Sequence, residues 1–65
     1  MNKGQIMQQV DDHLKGKGIT PQKDYIWSLQ GPTLIYLGND NPFKGLTIQD
    51  VKTIKEMGAK FLVEP

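Results

Sequence analysis

Few side chains in this chain could do chemistry, and their spacing does not assemble them. His13 is the only histidine, and catalysis or metal binding would require a base, a nucleophile or a second ligand close to it in the fold. Its sequence neighbour Asp12 points elsewhere on the helix predicted for this segment. His13 is therefore read as a structural residue without a partner, bordering a polar face. Asp11, Asp12, Asp40 and Asp50 follow no metal-ligand spacing. The segment Asn39-Asp40-Asn41 opens like a calcium loop but lacks the glycine and the glutamate such a loop needs further on, so turn chemistry accounts for it. Ser28, the only serine, falls in a predicted strand and not in a Gly-x-Ser-x-Gly elbow. Gly16-Lys17-Gly18 is too short for a phosphate-binding loop. No catalytic residue, metal ligand or cofactor site is expected, and the chain reads as a non-enzyme.

Composition narrows the classes further. The 65 residues make one small domain, 1–65. A chain this short buries only about 60% of the surface its unfolded form exposes. No cysteine is present to staple the thin core that results. Eight lysines face seven acidic residues, and the lysines are scattered, so no run of like charge marks a nucleic-acid or membrane footprint. Arginine, the side chain best suited to bidentate phosphate or guanine recognition, is absent. The first apolar cluster, Ile6, Met7 and Val10, is broken by Gln8 and Gln9, unlike an export signal, so the cytoplasm is the expected location and no membrane contact is expected.

The elements that must position these residues follow from local patterns. Ile6, Met7, Val10 and Leu14 recur at helical spacing over Gln5–Lys15; Asn2 caps this helix with Gln5 at the capping-box position, and Gly16 and Gly18 end it. Asp11 and Asp12 fall on its solvated face. Asp24–Gln30 and Thr33–Gly38 favour strands and flank Gly31-Pro32, which predicts a short antiparallel hairpin. Placing Gln30 opposite Thr33 sets Leu29 against Leu34 and Trp27 against Tyr36. Asn39–Gly45 is a loop. Thr47 caps a second helix, with Asp50 in the capping box and Leu46 stapled to Val51; it carries Ile48, Val51 and Ile54 on one side and stops at Gly58. Ala59–Val63 forms a last short strand, able to pair at either edge of the hairpin. The prediction is an α+β domain in the order α-β-β-α-β, with a three-stranded sheet and both helices packed mainly on one face.

Two segments are superficially similar to known families. Ile35–Pro42 (IYLGNDNP) resembles the second half-motif of the GIY-YIG nucleases, but the first half-motif and that family's arginine are missing. Leu46–Gly58 resembles the opening of a helix-turn-helix, but the residues after it leave no room for a recognition helix. The chain is assigned to neither.

The hairpin leaves one functional feature. One face carries Tyr25, Trp27, Leu29, Leu34 and Tyr36, and the other Ile26, Ser28, Ile35 and Leu37. If the helices cover the aliphatic side, the aromatic side is an apolar patch fit for a partner; otherwise the aromatic face is itself the core. The first assignment is taken, with Phe43 as a further anchor from its loop. The function expected is a small accessory or regulatory binding module acting by protein–protein contact with an unknown partner or a second copy of itself, of a size that suits a phage or mobile element. The alternative is single-stranded nucleic-acid binding, with Tyr25, Trp27 and Tyr36 as a stacking platform and lysines along the backbone.

Overall fold

The computed structural model describes residues 2–28 and 30–65. Helix α1 spans Lys3–Lys15, strands β1 and β2 span Tyr25–Trp27 and Thr33–Tyr36, a 3-10 turn spans Pro42–Gly45, helix α2 spans Ile48–Met57, and strand β3 spans Lys60–Phe61. The order is α-β-β-α-β, and the sheet has the strand order β1-β2-β3. This is the α+β domain that the sequence predicts.

Both helices begin where local chemistry starts them. The Asn2 side chain accepts from the Gln5 N–H at 2.9 Å and Gln5 Oε1 accepts from the Asn2 N–H, a complete capping box. Thr47 and Asp50 make the same reciprocal pair at α2, at 3.0 and 3.1 Å. Gly58 closes α2 with φ +111°, a conformation open to glycine at little cost. A Cβ built there would also stand 3.0 Å from Ile6 Cδ1, so α1 crosses close to this turn.

The hairpin register differs from the prediction by two residues: Tyr25 lies opposite Tyr36, Ile26 opposite Ile35, and Trp27 opposite Leu34. Ser28 N–H donates to Thr33 C=O at 2.9 Å and Thr33 N–H to Gly31 C=O at 2.7 Å, so Gly31-Pro32 is part of a wider turn. An even shift preserves which residues share a face. β3 adds to β2 in parallel, with Thr33 opposite Lys60 and Leu34 opposite Phe61, which makes β2 the central strand.

The core lies between this sheet and the helices. Val10 and Leu14 of α1, Ile54 of α2, Tyr25, Leu34 and Phe61 of the strands, Ile19 and Ala59 of the connections and Phe43 of the 3-10 turn are all buried. Four rings run through it edge to face or tilted: Trp27 to Tyr25 at 6.1 Å, Tyr25 to Phe43 at 5.7 Å, Phe43 to Phe61 at 5.2 Å. The helices thus pack on one face as predicted, but that face is the aromatic one. The reason is area: each ring removes about 150–250 Å² from water, more than the branched aliphatics opposite can offer. No helix in the described residues is long and apolar enough to cross a membrane.

Candidate interaction surface

Burial decides which of the proposed binding residues a partner can reach. Tyr25, Leu34 and Phe43 are buried in the core, so the expectation that they form an exposed patch is corrected. Phe43 turns inward because Asn41 caps the 3-10 turn, its Oδ1 accepting from the Phe43 N–H at 2.9 Å. Trp27 and Tyr36 are half-buried against the same core. Leu29 lies outside the described residues. Of the three rings considered as a stacking platform for nucleic acid, Tyr25 is buried, while Trp27 and Tyr36 keep part of their surface exposed.

Polar side chains that the sequence offered to solvent or to chemistry tie the elements together. Asp11 was expected on the solvated face of α1; instead its Oδ1 accepts from Trp27 Nε1 at 2.9 Å and from the Tyr25 hydroxyl. Burial first, then the hydrogen bond to Asp11 and the charges of Asp11 and Asp24, holds the Tyr25 phenol well above its ordinary pKa. His13 has a partner after all. Its Nε2 lies 3.2 Å from Asp50 Oδ1, and Lys17 Nζ lies 3.2 Å from Asp50 Oδ2. A carboxylate only accepts, so His13 carries its proton on Nε2 in this contact. The Thr47 backbone N–H is the largest influence lowering the Asp50 carboxyl, to about 2; desolvation opposes it, and the Thr47 side chain, Lys17 and His13 add to it. These groups join α1 to β1 and α1 to α2.

The large apolar side chains left exposed are aliphatic. Ile26 is 41% exposed, Leu37 40%, Leu62 62%, Val63 48% and Ile48 90%. Ile26 and Ile35 are cross-strand partners, and Ile35 is half-buried. Alternation along the strands sets Ile26, Ile35 and Leu37 on the face opposite Tyr25 and Leu34. Leu62 follows Phe61 onto that outer face, its N–H bonded to Leu34 C=O at 2.9 Å. The sequence grouped Ile26, Ile35 and Leu37 correctly but assigned them to the core. Ring size was the signal that could have reversed the choice.

Ile48 is a separate correction. It was expected beside Ile54, but two steps of three residues drift by about 120° around a helix of 3.6 residues per turn, which carries Ile48 off the buried stripe. It faces an open trough of about 610 Å³ along α2 with Leu46, Val51 and Pro65, bordered by Lys44, Lys52, Lys55, Glu56 and Glu64. Comparison with protein-family models, with curated proteins and with solved structures finds no match for this chain.

Proposed function

We propose that this chain is a non-enzymatic binding module, a small accessory or regulatory protein that acts by protein–protein contact through the uncovered face of its sheet. The observation that carries this reading is the set of aliphatic side chains Ile26, Ile35, Leu37 and Leu62 on the sheet face opposite the core, of which Ile26, Leu37 and Leu62 are exposed and Ile35 is half-buried. Apolar surface of this kind marks interaction sites. The engagement of His13, Asp11 and Asp50 as ties between elements supports the same reading, since it gives those groups structural work.

Size constrains the partner. Three strands of three, four and two residues, about 4.8 Å apart, make a platform of at most roughly 15 by 13 Å, well short of the about 800 Å² per partner typical of stable complexes. A second copy seated on this face alone would associate weakly. The reading therefore favours a different protein that reaches past the sheet onto Leu62 and Val63.

Ile26→Lys and Leu62→Lys test it. Both side chains are exposed, so each variant is expected to keep the wild-type circular dichroism and to lose no more than about 0.5 kcal/mol. A protein from the native host that crosslinks to the wild type and is lost from both variants is the expected result. Unchanged crosslinking in both variants would remove the sheet face as the site. Sedimentation across concentrations detects self-association in the same samples.

A further inference from the structure

We draw no further inference here: the strongest candidate, the open trough along α2 floored by Leu46, Ile48, Val51 and Pro65, carries nothing, because Lys44, Lys52 and Lys55 nearly balance Glu56 and Glu64 at its rim and nothing in the structure shows what covers it.

Discussion

At the scale of single residues, Asp50 joins two jobs usually given to different side chains. It completes the capping box of α2 through the Thr47 N–H and holds α1 through His13 and the turn after α1 through Lys17. The carboxylate is favoured in the fold, its pKa brought down from 3.8 to about 2. A group whose folded pKa is depressed contributes stability that is present above its unfolded value and lost as the pH falls through its folded one. The Asp50 contribution is thus intact near neutrality and disappears between about pH 4 and pH 2. Asp50→Asn should melt below the wild type near neutral pH, and the gap should close through that window. Melting curves that stay a constant distance apart from neutral pH down to 2 would show that the charge is not what matters. His13 was read as partnerless because its sequence neighbours gave no clue to a residue 37 positions away.

At the scale of elements, Gly58 is where α2 ends and α1 passes. Ala at a left-handed position costs about 1 kcal/mol from the backbone alone. Gly18, at φ +82° with open space around it, isolates that term; Gly58 adds the 3.0 Å approach of Ile6 Cδ1. Gly58→Ala should therefore destabilise more than Gly18→Ala, and the excess should shrink when Ile6→Val removes the crowding methyl. Equal losses in the two variants would mean that the helix crossing is loose. What could be read from the sequence follows the same division between local and distant causes. Both capping boxes, the glycine stop and the element order come from residues a few positions apart, and the structure reproduces them. The parallel pairing of β3 and the partners of Asp11 and His13 come from across the chain, and no local pattern encodes them. The hairpin was intermediate: its register slipped by two, yet Tyr25, Trp27, Leu34 and Tyr36 still share a face. Which face turns inward was settled by the whole core and not by the hairpin.

At the scale of the whole molecule, the core is small and its rings are interlocked. Trp27 sits against Tyr25 and donates to Asp11, so Trp27→Ala removes packing and leaves a carboxylate with one donor fewer. The expected loss is about 3 kcal/mol, a large part of what a domain of this size has. Denaturant titrations should show it, with no change in the solution mass of the protein that remains folded. A variant as stable as the wild type, but with association lost, would return the aromatic face to the role of an interface.

The ring series has a further effect, on the making of the protein. It runs from β1 through the 3-10 turn and ends at Phe61 in β3, the most C-terminal element of this domain. Phe61 covers Phe43 only once β3 has taken its place beside β2, and α2 lies between those two strands in sequence. During synthesis, nearly the whole domain must leave the ribosome before the sheet can gain its third strand. Until then Phe43 and Leu34 lack their neighbour from β3, and chaperones that bind apolar segments have their opportunity. A nascent chain halted before Lys60 should remain sensitive to protease, whereas one extended far enough to free Phe61 from the exit tunnel should become resistant in a single step.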